Sequence, residues 1–232
     1  MSQNIDDGYY DSQRATMVEE QLQSLGITDE RVLAAMGEVP RHRFVPEYLT
    51  VLAYQDRALP IGFDQTISQP YMVALMLEAL ELTGTERVLE VGAGSGYQAA
   101  LLGLLAREVY AVEIIPGLTE SARRVIQRLG YDNVKVILAN GSLGFEEAAP
   151  YDAIVVAAGA PEVPEALVEQ LAEGGRLVIP VGDRSGQTLL RIRKSGGRTH
   201  TERITPCIFV PLIGKDGWVR GSGTAPSMGN PS

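Results

Sequence analysis

The chain is poor in the residues from which disulfides and metal centres are built. It has one cysteine, Cys207, and two histidines, His42 and His200. A single cysteine excludes an intrachain disulfide and a multi-thiolate site. With so few imidazoles a zinc centre is not expected either, and no metal is assigned. Cationic side chains are outnumbered, 20 Lys and Arg against 29 Asp and Glu, for a net charge of -9. Phosphate backbones are gripped by clustered Lys and Arg, so this balance argues against nucleic acid as a partner. It leaves peptides and small cations open. No apolar run approaches the ~20 residues of a membrane span. The N-terminal MSQNIDDGYYDSQ is polar and acidic, unlike a signal peptide. A soluble, cytoplasmic protein with no membrane partner is expected.

What is present is ordinary globular material. The 232 residues, 45% hydrophobic and 21% charged, suffice for one large domain. Residues 14–25 carry apolar groups at helical spacing until Gly26. Thr28-Asp29-Glu30 caps a second helix through Met36, and PRHRFVP (40–46) breaks it. Residues 59–69, LPIGFDQTISQ, have no clean period and read as a loop. Pro70 suits the first turn of a helix to about Leu82.

After Gly84, apolar β-branched runs alternate with amphipathic helices. The strands are RVLEV (87–91), EVYAVE (108–113), VKVIL (134–138), YDAIVVAA (151–158) and RLVIPV (176–181). Helices are expected to about Ala106, over 116–129 and over 164–172. Such continuous runs belong to a parallel sheet covered on both faces, hence an α/β, doubly wound, Rossmann-like fold. Two further extended runs, 187–195 and 199–213, joined by Gly196-Gly197, predict a terminal antiparallel hairpin. The expected organisation is one domain over 1–214, with an N-terminal helical subregion (12–83) and a cofactor-binding core (84–214). A Gly/Ser/Pro-rich mobile tail is expected over 215–232.

The stretch RVLEVGAGSGYQ (87–98) places Gly92, Gly94 and Gly96 between a strand and a helix. Tyr97 stands where a dinucleotide fingerprint needs its third glycine, and no Gly-Lys-Ser/Thr follows for a triphosphate loop. Glu90, near the strand's end, would repel a pyrophosphate but could receive an ammonium. Glu113 ends the second core strand, where an acid can bond both ribose hydroxyls. Asn140-Gly141 follows the third, and an Asn amide can pair with an adenine edge. Ammonium, ribose and adenine partners in that order fit S-adenosyl-L-methionine. Taken alone, the glycines could equally serve a tight junction and the two acids could be solvated strand ends.

Several stretches together resemble the protein-L-isoaspartate O-methyltransferase family. They are VPRHRFVP (39–46), LPIGFDQTISQPYMVA (59–74), RVLEVGAGSGYQ, YAVE (110–113), YDAIVVAAGAPEVP (151–164), GGRLVIPVG (174–182) and FVPLIG (209–214). The likeness spans roughly 12–214, and GFDQTISQP is its most specific part. The resemblance implies methyl transfer from S-adenosylmethionine to the carboxylate of isoaspartyl (and D-aspartyl) residues in damaged proteins and peptides, followed by closure of the ester to a succinimide. It places the active-site serine at Ser68, with Thr66 and Ile67 beside the cofactor. It assigns the backbone around Val210 and Leu212 to strand-like pairing with the substrate chain. A monomer is expected.

A carboxylate nucleophile is ionised at neutral pH, so no general base is needed. That matches motifs without histidine or lysine. Ser68 can donate one hydrogen bond to a carboxylate; the plainer role is to cap the helix after it. Arg41 and His42 read as a structural corner, His200 as exposed and Cys207 as apolar filling. Where the family usually has Asp-Gly, this chain has Asn140-Gly141, a pair prone to deamidation on storage. The alternatives are a relative that modifies aspartate in a dedicated peptide substrate, a non-enzymatic cofactor sensor and, by fold alone, an NAD-linked oxidoreductase.

Overall fold

The computed structural model describes residues 7–219; the rest of the expected tail, 220–232, lies outside the described residues. The chain opens with α1 (Asp7–Thr16), which continues as a π-wound segment over Met17–Gln23. Gly26, at φ +97°, follows it. The helix expected over 14–25 is thus the second half of a longer element. Arg14 ties down the polar first half by donating to Asp11 Oδ1 and to Gly37 O, each at 2.7 Å. Asp29 caps α2 (Glu30–Glu38) by accepting from the N–H groups of Arg31 and Val32. PRHRFVP then forms a 3-10 turn at Arg41–Phe44, and a second follows at Glu47–Leu52.

Residues 59–69 are not the loop expected. They form an antiparallel hairpin, β1 (Leu59–Gly62) and β2 (Gln65–Ile67). Phe63 and Asp64 turn it with φ of 53° and 57°, after Gly62 at 88°. Positive φ at two successive non-glycine residues is uncommon, so no Asn-Gly type signal marks the turn. Next, α3 (Pro70–Ala79) has proline in its first turn as expected. It stops before Leu82, and Glu81 turns left-handed at φ 50°.

The main sheet contains β3 (Arg87–Val91), β4 (Glu108–Glu113), β5 (Val134–Leu138), β6 (Tyr151–Val156), β7 (Leu171–Gly182), β8 (Gln187–Ser195) and β9 (Arg198–Cys207). Their spatial order is β5-β4-β3-β6-β7-β8-β9. The five strands from β5 to β7 run parallel, and β8 and β9 add antiparallel. The interleaved helices are α4 (Tyr97–Leu105), α5 (Pro116–Arg128) and α6 (Glu165–Glu169). The chain moves from β3 to one side with β4 and to the other with β6. Such a reversal opens a ligand crevice at the carboxyl ends of the strands.

Alternation along the strands makes two cores. Val88, Ala153 and Val155 face the core shared with the N-terminal helices, α4 and α5; Leu89, Val91, Ile154 and Val156 face the core that includes Leu167 of α6. Each buried Leu, Val or Ile contributes roughly 1.5–3 kcal/mol, so a one-residue slip of β3 would cost both layers. By the same period, Glu90 points to the face of Val88.

Two further expectations need correction. The helix expected over 164–172 is only α6, and Leu171 already pairs with Tyr151 as the start of β7. Gly174-Gly175 deprives a longer helix of propensity, and the backbone joins the sheet instead. The second run of the terminal hairpin ends as a strand at Cys207 rather than at 213. Residues 208–213 leave the sheet, bridge Gly159 at Pro211, and cross the strand ends. The Gly196-Gly197 turn is as expected, at φ 61° and 69°. No helix of the described residues is long and apolar enough to cross a membrane.

Candidate active site

Three cavities share walls at the carboxyl ends of β3, β4 and β6. The middle one, about 350 Å³, lies under the β1–β2 hairpin tip and is lined by Phe63–Thr66, Gly92, Gly94, Glu113, Gly141 and residues 210–213. A narrow one of about 40 Å³ is bounded by Thr66, Ile67, Ser68, Glu90, Tyr97 and Gln98 among others. An open one of about 650 Å³ is bounded by Ser68, Tyr71, Ser185–Gln187 and Thr205–Val210. Thr66 and Ala157 line all three, and Ser68 lines the narrow and the open ones.

The glycine turn follows from its dihedrals. Gly92, Gly94 and Gly96 sit at φ 89°, 53° and 87°, values that side chains disfavour. Gly92 and Gly94 line the cavities, so backbone is what a ligand meets there. Gly96 lines none of the three. A Cβ on it would lie 3.2 Å from Cβ of Ala122, so it serves the packing of α4 against α5.

The acids behave differently from one another. Glu113 Oε2 accepts from the N–H of Gly94 and Oε1 from the N–H of Ile115, each at 2.9 Å. It keeps lone pairs for a ligand while fixing the turn. Glu90 is 0% exposed, and neither of its oxygens has a partner. Burial, with Glu113 nearby, pushes its carboxyl well above the usual range. Gln98 is also buried and its Nε2 is unpartnered. An orphaned acid and an orphaned amide donor beside one narrow cavity are what an ammonium and a carboxylate on one carbon would satisfy. The chain therefore fits the amino-acid end of S-adenosylmethionine.

The remaining expected residues are placed as follows. Ile67 is buried on the narrow cavity. Asn140 Oδ1 accepts from the N–H and Oγ–H of Ser142, at 3.2 and 3.0 Å. It is not among the residues walling the middle cavity; its neighbour Gly141 is. Val210 lines both larger cavities, but Leu212 lines only the middle one. Leu212 donates its N–H to Gly159 O at 2.8 Å and accepts from Trp218 N at 2.7 Å. Its backbone is thus used within the chain, and the carbonyl of Val210 likewise accepts from the N–H of Gly159 at 2.8 Å.

The family model for protein-L-isoaspartate(D-aspartate) O-methyltransferase matches residues 12–217. The chain belongs to this family. A protein-L-isoaspartate O-methyltransferase of Geobacter metallireducens is 56% identical over 90% of this chain and 97% of its own length. One of Methanoculleus marisnigri is 52% identical over 89% and 94%. Among solved structures, a protein-L-isoaspartate O-methyltransferase superposes with a TM-score of 0.79 at 32% identity, covering 88% of this chain and 66% of that longer one. A Plasmodium falciparum β-aspartate methyltransferase in complex with S-adenosyl-L-homocysteine gives 0.75 at 31%, covering 86% and 98%.

Within this methyltransferase fold, several residues at the site escape a reading of motifs. Gln98 looks like any polar position on a helix; only its burial beside Glu90 marks it. Phe63 is an exposed aromatic in an apparent loop, yet its ring rests over Gly117 at the start of α5. Gln187 Oε1 accepts from the N–H of Phe209 at 2.8 Å, and its Nε2 donates to Asp183 O. It thereby joins two segments that wall the open cavity, and no local signal could have identified it. His200 is exposed and Cys207 buried, as expected.

Proposed function

We propose that this methyltransferase esterifies the free carboxylate of L-isoaspartyl and D-aspartyl residues in damaged proteins and peptides, using S-adenosylmethionine, with Ser68 as the substrate contact. Family membership supports the reaction. The observation that carries the role of Ser68 is its place on the wall between the narrow cavity and the open one.

The bound cofactor supplies a methyl carbon made electrophilic by a positively charged sulfur. The chain's own residues hold it: Glu90 and Gln98 at the amino-acid end, Glu113 at the ribose, and Gly92, Gly94 and Gly141 by close backbone approach. The open cavity presents the acceptor. None of the side chains lining it carries a charge. A carboxylate entering there meets the Ser68 hydroxyl, which donates a hydrogen bond without neutralising the nucleophile. Transfer from a sulfonium to a carboxylate removes one positive and one negative charge together. A weakly polar wall therefore favours it over water, which stabilises the separated charges. No proton has to move, so no base is required; holding the two groups in line supplies the rest.

The test is transfer of labelled methyl from S-adenosylmethionine to two peptides with isoaspartate or aspartate at one position. Base-labile label on the isoaspartyl peptide alone supports the reading. Equal labelling of both, or none, overturns it. Ser68→Ala is expected to lower kcat at unchanged cofactor affinity.

A further inference from the structure

The VPRHRFVP corner contains a charge that a corner alone does not need. Arg41 is 0% exposed, the one arginine buried to that extent among the described residues. No described carboxylate pairs with it. Its Nε donates to Ala53 O and its Nη2 to Ser68 O, both at 2.7 Å. Its Cζ lies 4.8 Å from the centroid of the Tyr97 ring, within cation–π range. Its Nη1 has no partner. Burial pulls its pKa below the ordinary arginine value, against the opposing pull of Tyr97, Tyr54 and, more weakly, the Asp56 carboxylate, which makes no ion pair with it.

A guanidinium buried with no carboxylate in contact is costly, and an apolar side chain of similar volume would fill the space at less cost. What an apolar group could not do is reach several elements at once. The planar fork has donors in fixed, diverging directions. One arm holds the end of the second 3-10 turn at Ala53. Another holds the main chain of Ser68. The guanidinium also lies over the ring of Tyr97, the residue after the glycine turn, and Tyr97 is among the residues that line the narrow cavity with Glu90 and Gln98. Arg41 thus spans from the substrate-contacting serine to the cofactor turn.

We infer that Arg41 is a positioning residue for methyl transfer: it fixes Ser68, through its carbonyl, relative to the cofactor-binding turn. The inference rests on the reading of Ser68 as the substrate contact. Lysine has three donors but all on one nitrogen of a flexible stem, without the rigid diverging fork that reaches Ala53 and Ser68 together, and methionine donates to neither.

The test is a double-mutant cycle on the full chain. Arg41→Lys, Arg41→Met, Ser68→Ala and the doubles are compared by kcat and KM for an isoaspartyl peptide, calorimetric affinity for S-adenosylhomocysteine, and Tm. Arg41→Met is expected to bind the cofactor product within about threefold of wild type while kcat falls on the order of tenfold. Arg41→Lys recovers part of that loss. In the Ser68→Ala background the same change costs less than about twofold. A merely structural Arg41 would lower Tm and leave kcat untouched, or cost the same with and without the Ser68 hydroxyl; either result overturns the inference. If Arg41→Met does not fold, the cycle is run with Arg41→Lys under the same criteria. A wild-type rate in Ser68→Ala overturns the serine reading itself. A tenfold loss there with none in either Arg41 variant overturns Arg41 alone.

Discussion

The N–H of Gly94 donates to Oε2 of Glu113 at 2.9 Å, so the acid that ends β4 also holds the glycine turn that follows β3. Removing the carboxylate therefore does two things. It deletes the acceptor proposed for the ribose and frees the turn that lines the middle cavity. Hydrogen bonds to a charged group are worth about 1.5–3 kcal/mol. Glu113→Ala is expected to weaken S-adenosylhomocysteine binding at least about tenfold, with Glu113→Gln intermediate because one acceptor survives. Titration calorimetry reads this directly, and wild-type affinity in Glu113→Ala would show that the acid does not touch the ligand.

The contact proposed between Glu90 and the cofactor's ammonium would make binding depend on protons. In the free protein, burial favours the neutral acid and raises its pKa well above the usual value. An incoming ammonium favours the carboxylate, so binding releases a proton. Affinity should rise with pH until the raised pKa is passed and then level off. Linkage sets the sign for the ligand-free fold too. The native state holds its proton to higher pH than the unfolded chain does. Stability is therefore lost as pH climbs from the ordinary carboxylate range through the native pKa. Calorimetry in two buffers of different ionisation enthalpy should show proton release in the wild type and none from this group in Glu90→Gln. Identical, proton-free binding in both proteins would exclude the coupling.

How far the sequence reveals this site depends on whether a residue's task is local. The strands from Arg87 to Val181 are legible because continuous β-branched runs have few other uses, and Glu90 and Glu113 stand out as acids at or next to the ends of such strands. The β1–β2 hairpin is not, because Phe63 and Asp64 turn it without a glycine between them. The start of β7 hides in a segment whose composition suits a helix until Gly174. Arg41 is the sharpest case. In one dimension Arg41, one of two arginines between Pro40 and Pro46, reads as part of a structural corner. Its role depends on Ala53, Ser68 and Tyr97, which only the tertiary fold brings together.

Phe63 and Gly117 allow stability and binding to be moved in opposite directions. A Cβ on Gly117 would overlap the Phe63 ring. That ring is 60% exposed and free to swing outward, taking the hairpin tip with it. Alanine is also the better helix former, by up to ~1 kcal/mol. Gly117→Ala should keep or raise Tm. Cofactor affinity should fall by roughly 1 kcal/mol, about fivefold, as the wall contributed by Phe63 moves away. A loss of both together would point to damage in α5 instead, and unchanged affinity would mean that the tip does not cover the ligand.

Asn140-Gly141 is a deamidation-prone pair in an enzyme whose substrate is the product of such damage. The fold opposes the reaction at this place. Closure to a succinimide needs the Gly141 nitrogen to approach Cγ of Asn140. Yet Asn140 Oδ1 is held by both donors of Ser142. Gly141 itself is buried in a hydrogen-bonded 3-10 turn, with Val91 and Val112 filling the space where a side chain would be. Rotating either group would break those bonds and press the turn into two core valines. Peptide mapping of folded protein aged at neutral pH should show the Asn140 peptide gaining mass far more slowly than the same peptide after proteolysis. Equal rates would mean that the turn opens on the timescale of storage. Asn140→Asp isolates the consequence of conversion. A carboxylate can keep both Ser142 bonds and strengthen them by charge, so Tm should stay level or rise by about 2 °C, and because Asn140 lies outside the wall of the middle cavity, cofactor affinity should stay within about twofold. A fall in affinity would instead show that the amide N–H of Asn140, lost on conversion, is what the adenine requires.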